Sequence, residues 1–264
     1  MKIGIFPDDD TIGQVAADFV EDLFTRQPQA NLGLATGSSP LATYRHLIER
    51  VSTGRLSFAQ GQAFTLDEYV GLDPQHPERY RNVIYRDFLS GVDFPAESVH
   101  SPDGNADDLA AAACAYDRLI ADAGGVDLQI LGIGSDGHIA FNEPGESFKS
   151  RTHPGVLTNQ TRQDNARFFG SDINAVPTHC VTQGLGTIME ARRLVLVAQG
   201  RAKARAIREL VEGAVSIRWP ATIMQMHPDA WVLIDEDAAS ELDMIDYYRE
   251  VWEKSRHYRG VCSG

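Results

Sequence analysis

The sequence predicts an α/β fold: one domain, residues 1–264, built on a mostly parallel, twisted sheet with helices on both faces in the Rossmann-like manner. Three observations point there. Short apolar runs alternate with amphipathic stretches along the chain, the order that yields parallel strands joined by helical crossovers. No repeat, low-complexity tract or Pro/Gly/Ser linker divides the 264 residues, a length that supports one large core. Finally, polar, glycine-bearing loops follow apolar runs directly, where the strand C-terminal ends of such a fold form a ligand crevice.

The elements follow in order. Ile3 to Phe6 reads as a strand, and Thr11 to Phe24 as a helix with Ile12, Val15, Ala16, Phe19, Val20 and Leu23 on one face. Leu32 to Ala35 reads as a buried strand broken by Thr36 to Pro40, and Leu41 to Val51 as a helix. Ala63 to Leu66 is a strand, and the Ala-rich stretch Asp108 to Ala121 a helix. Val126 to Ile133 is the clearest strand. Arg193 to Ala198 is another, followed by a helix from Arg201 to Val211. Trp231 to Ile234 is the last strand and Glu241 to Trp252 the last helix. Ser147 to Asn174 is polar and lacks apolar periodicity. A mobile lid spanning about 147–182 is the expected use of so long an irregular segment.

Composition excludes several functions. Hydrophobic residues make up 43% and charged residues 23%, the profile of a soluble globular protein. A formal net charge of -13 opposes nucleic acid and anionic membranes. No segment reads as a signal peptide or membrane span. Cys114, Cys180 and Cys262 form no CxxC pair, so reduced thiols in a cytoplasmic protein are expected. The sequence leaves open a homo-oligomer.

Thr36-Gly37-Ser38-Ser39-Pro40 lies between a strand and a helix. Gly37 permits close backbone approach, and amides at a helix start favour an anion. The same loop fits a plain N-cap at Ser38 or Ser39 equally well. Without a Walker Lys it is not a nucleotide loop.

Gly132-Ile-Gly-Ser-Asp-Gly137 matches G-x-G-x-x-G, yet Pro144 forecloses a long crossover helix and no acidic residue sits about 20 positions beyond Gly137. The loop instead crowds Asp136, His138 and Glu143 within eight residues. Two carboxylates beside one imidazole can fix its tautomer and stabilise its charge, so that it shuttles protons. The competing reading is a His and an Asp that merely satisfy loop backbone. No second His and no Cys stands at metal spacing, so no metal is expected. In Phe64-Thr-Leu-Asp-Glu-Tyr69, a continuing strand would send Asp67 and Glu68 to opposite faces, so only one can meet the crevice. Taken alone, the residues favour an ordinary acidic strand end there.

Together these segments resemble the glucosamine-6-phosphate deaminases, the glucosamine/galactosamine-6-phosphate isomerase family. The resemblance rests on Leu32 to Pro40, on Leu66-Asp-Glu-Tyr-Val-Gly-Leu72 with His76-Pro-Glu78, and above all on Gly132-Ile-Gly-Ser-Asp-Gly-His-Ile-Ala-Phe-Asn-Glu-Pro144. It continues through Ser150-Arg-Thr152, Leu157 to Phe169, Val181 to Gly186 and Met226-His-Pro228.

The resemblance implies roles. Asp67 would move a proton between C2 and C1 of the sugar. His138 would open the ring, held and tuned by Asp136 and Glu143. Gly37, Ser38, Ser39, Arg167 and Lys203 would bind the phosphate, although the two cations otherwise read as ordinary surface charges. The implied reaction takes an amino-sugar phosphate to fructose 6-phosphate and ammonia with no cofactor. Some family members are activated by N-acetylglucosamine 6-phosphate through basic and serine side chains after the signature loop. Here His153 and Gly155 stand where that type carries Arg and Lys, and Glu146 replaces a Ser, so activation is expected to be absent or weak.

Three other readings stay open. One is a phosphogluconolactonase-like hydrolase, which Phe141 to Pro144 disfavours. Another is a deaminase for galactosamine 6-phosphate. The third is a sugar-phosphate sensor without turnover.

Overall fold

The computed structural model describes residues 1–255, so Cys262 lies outside the described residues. The strands are β1 (Lys2–Phe6), β2 (Asn31–Leu34), β3 (Gln62–Thr65), β4 (Asp67–Tyr69), β5 (Val99–His100), β6 (Leu128–Leu131), β7 (His153–Val156), β8 (His179–Thr182), β9 (Leu194–Ala198) and β10 (Ala230–Asp235). The α-helices are α1 (Asp9–Arg26), α2 (Leu41–Ser52), α3 (Tyr80–Asp87), α4 (Leu109–Asp122), α5 (Asn159–Asn165), α6 (Leu185–Ile188), α7 (Ala204–Glu212) and α8 (Ile245–Ser255).

Seven strands form a parallel sheet in the order β1-β10-β9-β6-β2-β3-β5, flanked by helices. β2, β6, β9 and almost all of β10 are buried, which explains why they read as unbroken apolar runs. From β2 the chain builds outward through β3 to β5. From β6 it builds the other way, through β9 to β10. The order therefore reverses between β2 and β6, and their carboxyl ends open a crevice there.

The predicted elements are present with shifted ends. Helix α1 starts two residues early because Asp8 caps it, accepting a hydrogen bond from the Thr11 amide at 2.8 Å. An acidic first turn has no apolar periodicity to reveal it. The strand expected over 126–133 is shorter, since buried Asp127 turns to bind the Asn31 amide (2.7 Å) and Arg192 (2.7 Å). Residues 201–203 form a 3₁₀ turn before α7 rather than part of one helix.

A second, antiparallel sheet, β4-β8-β7, was not expected. At Leu66 the chain leaves the main sheet, and Asp67 pairs with Thr182 in the smaller one. Three bonds fasten this handover. The Gln183 amide donates to the Leu66 carbonyl (2.7 Å), and the Gln183 side chain (3.0 Å) and the Tyr116 hydroxyl (2.7 Å) both donate to the Thr65 carbonyl. The polar stretch 147–174 holds β7, α5 and a 3₁₀ turn. Pairing with β8 and capping supply the order that apolar periodicity does not.

Cys114 and Cys180 are free thiols. Among the described residues no helix is long and apolar enough to cross a membrane.

The end of β2 is tied to α2 by one side chain. The fully buried Tyr44 hydroxyl donates to the Ala35 carbonyl (2.6 Å) and accepts from the Ala35 amide (3.1 Å). Tyr44→Phe should strand both backbone groups and lower stability by about 1–3 kcal/mol in denaturant unfolding.

Candidate active site

The crevice carries the loop 36–40 on β2 and the turn 132–145 on β6. Gly37 has φ +93°, a conformation suited to glycine. Pro40 occupies the N-cap position of α2, and no side chain caps that helix. The N-cap reading of Ser38 and Ser39 is thereby overturned: with no hydroxyl engaged, the first amides stay available to an anion, aided by the helix dipole. Gln199, just beyond β9, donates to the Ser39 carbonyl at 3.0 Å and holds the loop from the far side. Thr36 shares a hydrogen bond with the Tyr80 hydroxyl, which in turn donates to Tyr69 at 3.2 Å.

The turn after β6 builds the acid–base group. His138 Nδ1 lies 2.7 Å from Asp136 Oδ1 and 3.9 Å from Glu143 Oε2. The His138 amide also donates to Asp136 (3.2 Å). Burial works to raise the Asp136 carboxyl, but hydrogen bonding and charge from His138 carry it well below the usual carboxylate range. The glycines divide their work. Only Gly137 of the three takes positive φ, +84°. Gly134 is required because a Cβ there would overlap the His138 ring, and around Gly132 a Cβ would meet nothing within 4 Å. Trp219 backs the turn, its ring 2.7 Å from where a Gly137 Cβ would stand, and the Ala221 amide donates to the Gly137 carbonyl (2.8 Å).

Donor atoms of Asp136, His138 and Glu143 all fall within 4.8 Å of one another. Such a set has the compactness a divalent cation needs. With Asp136 already closed on Nδ1, it equally matches a charged imidazole stabilised by two carboxylates.

Asp67 and Glu68 do point apart. Glu68 is fully buried and binds backbone: it accepts from the Tyr69 amide (2.9 Å) and from the Tyr80 (2.9 Å) and Arg81 (3.0 Å) amides that open α3. Asp67 is buried too, yet among the described residues no hydrogen bond reaches its carboxylate. Burial, with a smaller push from the charge of Glu68, raises it to about 8. Its strand partner Thr182 accepts a hydrogen bond from the Phe141 amide at 3.1 Å. The strand bearing Asp67 is thus stitched to the turn that carries His138 and Glu143.

Lys203 is largely buried, which lowers its ammonium. Asp164 and Asp136 act against that shift, while Arg167 adds to it. These charges therefore share one neighbourhood. Arg167 itself is exposed and stacks on Phe168 at 4.6 Å. The Ser135 hydroxyl donates to Asp164 at 3.2 Å, joining α5 to the turn after β6. Sequence patterns gave no sign of the Tyr69–Tyr80 pair, Trp219 or the Glu143 partners on α5, because these meet only through tertiary contact.

A family described as glucosamine-6-phosphate isomerases/6-phosphogluconolactonase matches residues 9–233. A glucosamine-6-phosphate deaminase of Mycolicibacterium smegmatis is 60% identical over 261 residues, covering 99% of this chain and 100% of that protein. A structure described as a monomeric glucosamine-6-phosphate deaminase superposes with a TM-score of 0.89 at 43% identity, over 91% of this chain and 100% of the other. A 6-phosphogluconolactonase of Trypanosoma brucei reaches a TM-score of 0.74 at 20% identity, over 91% and 98%, a likeness of fold alone.

The raised Asp67 carboxyl makes a stability prediction. The folded state keeps this proton to about pH 8, whereas an unfolded Asp releases it near 4, so stability falls as pH rises across that window. Asp67→Asn cannot ionise. In thermal unfolding its advantage over the wild type should be smallest near pH 4, grow with each pH unit above that, and exceed about 5 °C at pH 8.5.

Proposed function

The chain belongs to the family of glucosamine-6-phosphate isomerases and 6-phosphogluconolactonases, and from that premise we propose how its crevice deaminates glucosamine 6-phosphate. The products are fructose 6-phosphate and ammonia. The observation that carries this reading is Asp67, a buried carboxylate without a hydrogen-bond donor, raised into the working range of a general base. Its strand is hydrogen-bonded through Thr182 to the turn that carries His138, whose Nδ1 faces the carboxylates of both Asp136 and Glu143.

The phosphate sits on the Gly37, Ser38 and Ser39 amides and hydroxyls, with Arg167 and Lys203 supplying charge. His138 exchanges protons with the ring oxygen and the C1 hydroxyl, opening the pyranose to the aldehyde. Asp136 and Glu143 stabilise the imidazolium that forms in passing. The aldehyde acidifies the C2 proton, and Asp67 removes it. Asp67 then returns the proton to C1, which converts the enolamine to a ketimine at C2. Water adds to that carbon, the amine leaves as ammonia, and the ketose remains. One carboxylate serves both carbons because they are adjacent, so base and substrate need not rearrange between the two transfers. Every step is a proton transfer, a hydration or a proton-assisted elimination, and none calls for an external oxidant or reductant.

We assign the 147–182 segment the part of a lid over the bound sugar, since it carries Arg167 at the phosphate end. The reading places the protein among cytoplasmic enzymes of amino-sugar catabolism. One relative is described as monomeric, so such a site can be complete in a single chain, and a homo-oligomer is not required.

Incubation with glucosamine 6-phosphate should release ammonia and fructose 6-phosphate in equal amounts. Asp67→Asn and His138→Asn should fold and lose roughly 10²–10⁴-fold in turnover. Binding without ammonia release by the wild type would leave a sensor, not an enzyme. Because Asp67 must be ionised to act, kcat/KM should climb about tenfold per pH unit and level off above about 8.

Glu146 Oε2 stands 3.7 Å from His153 Nε2, where an effector phosphate would meet a carboxylate. Added N-acetylglucosamine 6-phosphate should leave the half-saturating substrate concentration unchanged.

A further inference from the structure

We propose that Thr161 is a positioning residue for this reaction: its hydroxyl fixes Glu143 and, through Glu143, the charge facing the His138 ring. The inference deepens the reading above and rests on it.

Glu143 is 7% exposed and uses its two oxygens differently. Oε1 accepts from the Thr161 hydroxyl at 2.6 Å and from the Thr158 amide at 3.2 Å. Oε2 is buried, stands 3.9 Å from His138 Nδ1 and also meets the Asp136 side chain. The first oxygen is moored, which leaves the second aimed at the imidazole. Thr161 is 2% exposed, so water cannot replace its hydroxyl.

The direction of that hydroxyl is also set. Thr158 caps α5, and its side chain accepts from the Thr161 amide at 3.1 Å while its own hydroxyl donates to Thr161 Oγ1 at 3.1 Å. Having accepted that proton, Thr161 turns its own toward Glu143. The first turn of α5 thus presents an amide and an ordered hydroxyl to one carboxylate oxygen. A carboxylate gripped in this way neither rotates off the ring nor doubles its contact with it. It keeps a fixed position beside the imidazole through the proton transfers of the reaction. Asp136 is the nearer partner of Nδ1, and Glu143 supplies the second, longer-range share.

Thr161 also begins the stretch that ends in Arg167. If the threonine merely kept α5 folded, its loss would move the phosphate cation and disturb KM and kcat together. If it positions Glu143, kcat alone suffers.

The test is steady-state ammonia release by Thr161→Val, which matches the shape without the hydroxyl, beside Thr161→Ser, which keeps it. Thr161→Ala replaces the valine variant should that fail to fold. We expect the hydroxyl-free variant to lose roughly 10-fold in kcat, in line with a hydrogen bond to a charged group, with KM within about twofold. Thr161→Ser should stay near the wild-type kcat.

A hydroxyl-free variant with full kcat overturns the proposal, and so does a matching rise in KM that serine fails to rescue. Glu143→Gln is the control that separates the two levels. Should it also turn over at the wild-type rate, the assignment of Glu143 falls and this inference with it. Should it be slow while Thr161→Val is fast, only the role of Thr161 falls.

Discussion

A carboxylate buried at the rim of a sheet with no donor is an expensive arrangement, and the surrounding structure is organised to hold Asp67 in it. Left to relax, the chain at Asp67 would turn toward water or toward a backbone amide. It does neither, because both sides are fixed. Before it, the Thr65 and Leu66 carbonyls are taken by Tyr116 and Gln183. After it, Glu68 is locked into three amides, two of them opening α3. The main sheet ends and the second begins at this point, and that switch gives Asp67 a backbone held by strand pairing with a side chain that has no such bond.

Four carboxylates within the site thus diverge by environment alone. Glu68, buried with backbone donors, anchors structure. Asp67, buried without them, holds its proton to about pH 8. Asp136 lies against His138 and is drawn well below the ordinary range. Glu143 divides its oxygens between α5 and the imidazole. Residue type does not distinguish Asp67 from Asp136. The difference lies in whether a positive partner and donors come with the burial, since desolvation raises both.

The main sheet was largely legible from sequence because its central strands are buried on both faces and read as apolar runs of strand length. The loops after β2 and β6 were legible for a related reason: short polar motifs punctuating such runs stand out. Asp67 was not legible by residue pattern. Beside Glu68 it looks like any acidic strand end, and only the resemblance singled it out. β4, β7 and β8 escaped because their order comes from pairing with one another, with short segments and mixed polarity that local periodicity cannot register. The Thr161–Glu143 bond escaped for the same kind of reason. Its partners stand 18 residues apart, and a threonine three residues after an N-cap carries no mark of what it touches.

The overall charge of -13 makes the proposed phosphate end a problem of local field rather than of net charge. Lys203 and Arg167 are few, and two carboxylates, Asp136 and Asp164, sit close enough to Lys203 to be felt by it. Burial of Lys203 makes this workable. A largely buried ammonium interacts with an anion through a lower dielectric than a surface lysine does, so one such group counts for more. The amides after Gly37 add dipoles that cost no further ordering, because Tyr44, Gln199 and Tyr80 already hold that loop. The same low dielectric strengthens the attraction between Lys203 and its own carboxylate neighbours, so an incoming phosphate competes with them. An anion of higher charge than a carboxylate wins that competition most readily, which is what the proposed phosphate role asks of this end of the crevice.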